Sequence, residues 1–231
     1  GVSILAGFVR PDALPALVAE CDDLAAGAHH QDVRGTPYLE RPDVEAWPPG
    51  HPRLALTRSS VHTVAYDRFD PARFGLRALY EWDVLLELVA ALLGRSPLHR
   101  YADPLGAMNL AVMVEGDELG WHYDQTDFVV SLALQSSDAG GDFEPVQHLR
   151  GDGDERYDDV AAVLAGAAAD RVVTVPMTPG TLMLFEGRRS LHRVTAVLGP
   201  TPRYVALFGY DTQVGTRSSD LLQRVRYGRV A

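Results

Sequence analysis

The chain contains no lysine, so arginine carries all of its positive charge, and acidic residues are in excess: 31 Asp and Glu against 21 Lys and Arg give a formal net charge of −10. Phosphate-binding grooves draw their affinity from basic side chains, so this balance excludes a nucleic-acid partner. Cysteine is almost absent. The single Cys21 excludes an intrachain disulfide and a zinc knuckle. It falls in helical register with Leu14, Leu17, Val18 and Leu24, so a buried packing role is expected rather than a reactive thiol. No apolar run approaches the roughly 18 residues of a membrane span, and no basic-then-apolar leader pattern is visible. Neither a membrane segment nor a signal peptide is therefore expected, and the expected location is cytoplasmic.

What is present is the composition of an ordinary globular protein, 46% hydrophobic over 231 residues. That length supports one sizeable domain, expected to span 1–231, with a real core. Residues 11–25 read as an amphipathic helix packed outside a sheet. Residues 29–52 are rich in Pro, Gly, Asp and His without periodicity and read as an irregular loop over a site. Residues 60–66 alternate as a strand, in which His62 is expected to be a satisfied structural histidine. Residues 76–93 form a helix apolar on most of its circumference, ended by Gly94 and expected to support the back of the sheet.

Beyond that helix the chain reads as short strands, at 107–114, around His122, and at 128–134, 143–146, 171–175, 181–185, 190–198 and 204–210. A tight turn is expected at Pro179-Gly180 and a short helix over 159–168. The acidic stretch 151–159 lacks the spacing and terminal Glu of an EF-hand and is expected to be a solvated loop. Short strands at this regular spacing predict a mainly β fold with flanking α-helices, a sandwich or barrel.

The chemistry centres on Gly120-Trp121-His122-Tyr123-Asp124-Gln125. Successive side chains of a strand point to opposite faces, so His122 and Asp124 project the same way and can hold one ion between them. Two histidines and a carboxylate on one face suit non-haem Fe(II) and leave three positions open. A second His-x-Asp, His30-Gln31-Asp32, lies in a polar stretch without strand alternation, which favours His122. The second imidazole is offered by His192, in Leu191-His192-Arg193-Val194-Thr195. Eleven residues later Arg203 introduces an apolar strand, where its guanidinium is placed to grip a carboxylate in a two-pronged, charge-assisted pair.

In order, His122-x-Asp124, Gly140-Gly141, Pro179-Gly180-Thr181-Leu182-Met183-Leu184-Phe185, Leu191-His192-x-Val194-Thr195-x-Val197 and Arg203 resemble the double-stranded β-helix core of iron(II)- and 2-oxoglutarate-dependent oxygenases. The resemblance covers about residues 105–212, with helical support over 1–100 and a C-terminal extension over 213–231. It implies a jelly-roll, cupin-like core in which His122, Asp124 and His192 hold Fe(II). Arg203 would pair with the distal carboxylate of 2-oxoglutarate, Asn109 would hydrogen-bond the cosubstrate, and O2 would be the oxidant.

The whole chain, to Arg226-Tyr227-Gly228-Arg229, is similar to the BesD/HalD-type oxygenases that hydroxylate or chlorinate free amino acids. The halogenases of that group have glycine where this chain has Asp124, so the resemblance implies hydroxylation rather than chlorination. The implied partner is a small, amino-acid-like substrate. Leu119 and Gln125 point away from a strongly cationic one. Arg58 would meet a substrate carboxylate, Asp127 or Asp211 an amino group, and Trp121 or Tyr227 would wall the pocket. Two alternatives stand beside hydroxylation: desaturation or oxidative ring closure at the same iron site, and a barrel kept as a binding module without turnover.

Overall fold

The computed structural model describes residues 1–231. In chain order it comprises β1 (Val2–Leu5), α1 (Leu14–Ala25), β2 (His29–Gly35), β3 (Thr57–Ala65), α2 (Leu76–Glu81) and α3 (Asp83–Leu93). Then follow β4 (His99–Arg100), β5 (Met108–Met113), β6 (Glu118–His122), β7 (Val129–Gln135), β8 (Ala139–Gly140), β9 (Phe143–Val146) and α4 (Tyr157–Leu164). The chain ends with β10 (Leu182–Phe185), β11 (Leu191–Val194), β12 (Val197–Leu198), β13 (Arg203–Phe208), β14 (Tyr210–Asp211) and α5 (Asp220–Tyr227).

Nine strands form one antiparallel sheet in the order β1-β10-β7-β13-β5-β3-β6-β11-β9, with β2 paired to β3. The sheet curls so that its far strands face each other: Phe143 of β9, at one end, lies edge-on to Phe185 of β10, the strand beside the other end, ring centroids 4.9 Å apart. That closure makes a jelly-roll with two unlike faces. On the outside, Val64, Met108, Leu110, Val112, Leu132, Tyr204, Ala206 and Phe208 pack with Cys21, Leu76, Leu85 and Val89 of α1, α2 and α3. On the inside, Val61, Ala111, Met113, Phe143, Met183, Phe185 and Val194 form a second apolar cluster. β5 and β13 are apolar at successive positions because both faces are covered; each buried large apolar side chain contributes about 1.5–3 kcal/mol.

Several elements differ from the sequence expectation. Residues 29–35 are a strand, β2, fully paired with β3 from His29↔Thr63 to Gly35↔Thr57. Its side chains are mostly solvent-facing, so backbone pairing and polar cross-strand contacts hold it, without the apolar alternation that marks a strand. The helix over 76–93 is broken at Trp82, whose extended backbone (ψ 120°) ends α2 and caps α3. Arg100 takes up the carbonyl freed at the break, donating from Nε to Tyr80 at 2.8 Å and pairing with Asp83 at 3.0 Å. Gly94, at φ 61°, ends α3 as expected. Residues 171–175 form no strand: Ala169–Arg171 is a 3-10 turn and Val175 alone bridges Phe143. The stretch 190–198 is interrupted between β11 and β12, and the C-terminal extension carries the helix α5, capped by the Ser219 side chain.

α2 begins without a side-chain cap of its own. Glu20 of α1, 2% exposed, supplies one by accepting from the Leu76 N–H at 2.9 Å. Gly75 leaves room for this, since a Cβ there would sit 2.2 Å from the Glu20 carboxylate. Glu20→Ala is expected to destabilise the fold by about 1–3 kcal/mol, because it strands a buried N–H; chemical denaturation measures it.

Candidate metal centre

The two imidazoles face each other across one ladder. In the β6–β11 pairing His192 stands opposite His122, and Val194 stands opposite Leu119. Two steps along β11 therefore correspond to three along β6, so an extra residue is bulged out of β6 at 120–121. A bulge shifts the alternation by one and re-aims the side chains that follow. Leu119 already packs against the inner cluster, and the shift brings His122 to that same inner face. Gly120 is required for this, because a Cβ would lie 2.6 Å from both the Arg58 carbonyl and the Thr57 Cβ.

β6 ends at His122, so Asp124 reaches the site from the following loop rather than from the strand. The loop is tied by the Tyr123 N–H to the Pro37 carbonyl (2.7 Å) and by the Asp124 N–H to the Gly187 carbonyl (3.1 Å). The Asp124 oxygens lie 3.8 Å from His122 Nε2 and 3.5 Å from His192 Nε2. One donor atom from each of the three residues falls within 4.8 Å of the others.

Both histidines are oriented in the same way. His122 Nδ1 sits 2.7 Å from the Gly120 carbonyl, and His192 Nδ1 sits 2.9 Å from the Ser190 carbonyl. A carbonyl requires a donor, so each Nδ1 carries the proton and each Nε2 offers its lone pair to the shared space. Burial, together with the neighbouring His192, pushes the His122 pKa down to about 4 although Asp124 opposes the shift. His122 is therefore neutral and ligand-ready at physiological pH. His192 is buried, with its ring edge-on to Phe185 at 4.7 Å.

Arg203 opens β13 opposite Met113 of β5 and is 8% exposed. Its guanidinium meets no carboxylate within salt-bridge distance; its recorded contact is to Met113 Sδ at 3.7 Å. Burial lowers its pKa to about 10, with Asp142 opposing, so it remains a cation at neutral pH. Gly141 makes space for it, since a Cβ there would lie 2.8 Å from the Arg203 Cδ. Two further inward polar atoms, Asp124 Oδ2 and Ser131 Oγ, are buried without a hydrogen-bond partner. Buried charges and polar atoms persist when something pairs with them. A carboxylate oxygen beside two imidazoles whose Nε2 atoms face it fits a divalent iron, and a buried guanidinium fits a diacid such as 2-oxoglutarate.

The other residues singled out in the sequence divide. Asn109 is buried on β5 and acts on the Tyr227 hydroxyl, and Tyr227 packs with Ala65 and Leu105. Leu119 faces inward. The Gln125 carbonyl accepts from Arg188, which also pairs with Asp127 at 2.7 Å. Asp211 accepts from Thr216 at 3.0 Å and acts electrostatically on Tyr101.

Two expectations are corrected. Arg58 lies on the outer face, locked to Asp32 at 2.9 Å and Glu118 at 3.4 Å. Trp121, thrown outward by the bulge, packs with Leu149, Val160 and Val163 beneath the Arg193 guanidinium. Neither joins the site. Both expectations came with the resemblance; Arg58 stands on β3, where its carboxylate partners hold it, and Trp121 lies on the face opposite His122.

Ser131, facing inward, and Arg226, near the site, are groups to which the sequence reading gave no role. Arg226 of α5 forms no salt bridge, and its charge acts on His122, Tyr101 and Tyr227. It lies in a short amphipathic stretch at the end of the chain, where an arginine carries no distinguishing signal. Ser131 reads as an ordinary strand residue.

A curled antiparallel sheet carrying this cluster on its inner wall defines a protein of the 2-oxoglutarate/Fe(II) oxygenase class. The chain belongs to the halogenase D family, whose sequence model matches residues 52–221. Solved structures of similar fold include the carbocyclase SnoK from nogalamycin biosynthesis, 18% identical, with a TM-score of 0.63 over 100% of this chain and 88% of that one. AviO1 from Streptomyces viridochromogenes Tue57 is 20% identical, with a TM-score of 0.59 over 95% and 93%. HygX from Streptomyces hygroscopicus, solved with nickel and 2-oxoglutarate bound, is 16% identical, with a TM-score of 0.55 over 91% and 82%. No curated protein matches.

Two outcomes are expected. A Cβ at Gly187 would fall 1.8 Å from Asp124 Oδ2, so Gly187→Ala should weaken Fe(II) binding by at least about tenfold while circular dichroism stays native. Arg203→Met removes a buried, unpaired cation and should stabilise the ligand-free protein by about 1–3 kcal/mol. The same change should weaken 2-oxoglutarate binding about ten- to hundredfold; a thermal melt and calorimetry read the two arms.

Proposed function

We propose that this protein hydroxylates an unactivated C–H bond of a free amino acid or amino acid derivative, using Fe(II), 2-oxoglutarate and O2. The observation that carries the reading is the Asp124 carboxylate, placed between His122 and His192 with one oxygen unsatisfied. In the chlorinating members of the group that the sequence resembles, glycine at this position vacates a place for chloride. Here the carboxylate occupies it.

His122, Asp124 and His192 would hold the iron, and Arg203 would anchor the far carboxylate of 2-oxoglutarate, assisted by Asn109 and Ser131. When bound, the iron and its cosubstrate supply the oxidation: O2 and 2-oxoglutarate become succinate and CO2 while C–H becomes C–OH. The chain's own part is to aim both imidazoles through their carbonyl partners, with burial keeping His122 neutral, and to line the inner face with Met113, Met183, Phe143 and Phe185 so that water is excluded. Arg226, free of any ion pair, is suited to the substrate's α-carboxylate, and Asp211 to its amino group. Leu119 and Gln125 beside the ligand strand favour a substrate whose side chain is neutral.

A succinate-release screen over free amino acids, nitrogen-modified analogues and carrier-tethered forms, read by product mass, tests this. One added oxygen on a free or modified amino acid is expected. Loss of two hydrogens, a chlorinated product, or turnover confined to tethered forms would overturn it. Asp124→Ala should lower turnover at least about a hundredfold, roughly 2.7 kcal/mol of barrier.

A further inference from the structure

On the outer face of the sheet a second set of ligand-type side chains converges. His30 of β2 stands directly opposite His62 of β3, and their rings stack with centroids 4.1 Å apart and planes 13° from parallel. Directly opposed residues have Cβ atoms about 5 Å apart, within reach of one shared ion. Asp117 arrives from the turn between β5 and β6. It accepts from the Ser60 hydroxyl at 2.5 Å and the Val114 N–H at 2.9 Å, and it lies 3.1 Å from His62 Nδ1 and 3.9 Å from His30 Nε2. One donor atom from each of the three residues falls within 4.8 Å of the others.

Charge sharpens the question. Asp117 is 4% exposed, and a buried carboxylate is stable when a cation or metal offsets it. Arg58, on the same face, is already committed to Asp32, Glu118 and the Gly116 carbonyl. No arginine pairs with Asp117; its partners within salt-bridge distance are the two imidazoles.

We propose that His30, His62 and Asp117 form a second divalent-metal site, suited to zinc, outside the barrel and independent of the inner centre. Two imidazoles and a carboxylate are a donor set that zinc accepts, with water in the fourth position. Ser60 and the Val114 N–H hold the carboxylate in place, as outer groups around metal ligands do. Stacked rings point their in-plane lone pairs side by side, so one ring must turn to chelate. His30 is free to do so: its side chain is 46% exposed, and its contact is a 3.0 Å hydrogen bond to Ser60. The ion would clamp β2, which pairs only with β3, to the β5–β6 turn. Binding to the folded state alone also raises thermal stability.

The test is Co2+ titration of the full chain in the His192→Ala background, which removes a ligand of the inner centre, followed by visible absorption and equilibrium dialysis. One equivalent of Co2+ is expected to remain bound with a four-coordinate spectrum, to be displaced by Zn2+ and to raise the melting temperature. His30→Gln or His62→Gln added to this background should weaken binding at least about tenfold. Absence of Co2+ binding, or binding indifferent to both substitutions, overturns the proposal. Should His62→Gln fail to fold, His30→Gln decides alone, because its ring is half exposed. The oxygenase reading is tested separately by succinate release, so the two stand or fall independently.

Discussion

The inner centre depends on one register: His192 opposite His122, with an extra residue accommodated in β6 just before the histidine. If β6 ran without that bulge, His122 would share a face with Glu118, which reaches outward to Arg58. A one-residue slip in a strand transfers every later side chain to the other face, so the ligand set exists only because the slip is built in. Gly120 permits it sterically, and its carbonyl then orients the imidazole it has re-aimed. The same short segment sets the phase and the tautomer.

Around that register the interior is apolar and tightly covered, which makes its few polar groups costly. Arg203 is buried without an anion, Asp124 keeps an unpaired oxygen and Ser131 an unpaired hydroxyl. Each costs the ligand-free fold stability that a bound partner would return. The outer core, where α1, α2 and α3 cover the sheet, is larger and mostly apolar, and its buried carboxylate, Glu20, is used to cap a helix. The outside of the barrel supplies the larger apolar core, and the inside holds the charged groups that lack a partner.

This division explains what was legible in the sequence. Strands β5, β7, β10 and β13 face apolar surroundings, so their residues carry the pattern that identifies them, and the ordered set from His122 to Arg203 carries the site. β2 carries no such pattern because its pairing is held by backbone and polar contacts. The break at Trp82 depends on Arg100 reaching back from β4, a contact no local window contains. The pocket roles of Arg58 and Trp121 rested on the resemblance alone, and the partners that hold them elsewhere, Asp32 and Glu118 for Arg58 and the cluster under α4 for Trp121, lie far along the chain. Arg226 comes into range of His122 only through the docking of α5, with Tyr227 buried against Ala65 and Leu105.

The chain holds two clusters of the same composition, and they show why spacing alone does not define a metal site. His30 and Asp32 have the same His-x-Asp spacing as His122 and Asp124, yet Asp32 is taken by Arg58 and the carboxylate beside His30 is Asp117, from another strand connection. At the inner centre the carboxylate that follows the histidine is the one that meets it, because Gly187 leaves room for it against the loop. The two sites differ less in their donors than in their surroundings. The inner one lies beside a buried, unpaired guanidinium and apolar walls, conditions under which an open coordination position serves chemistry. The outer one is half exposed and ties an edge strand to a turn, conditions under which an ion serves as a clamp.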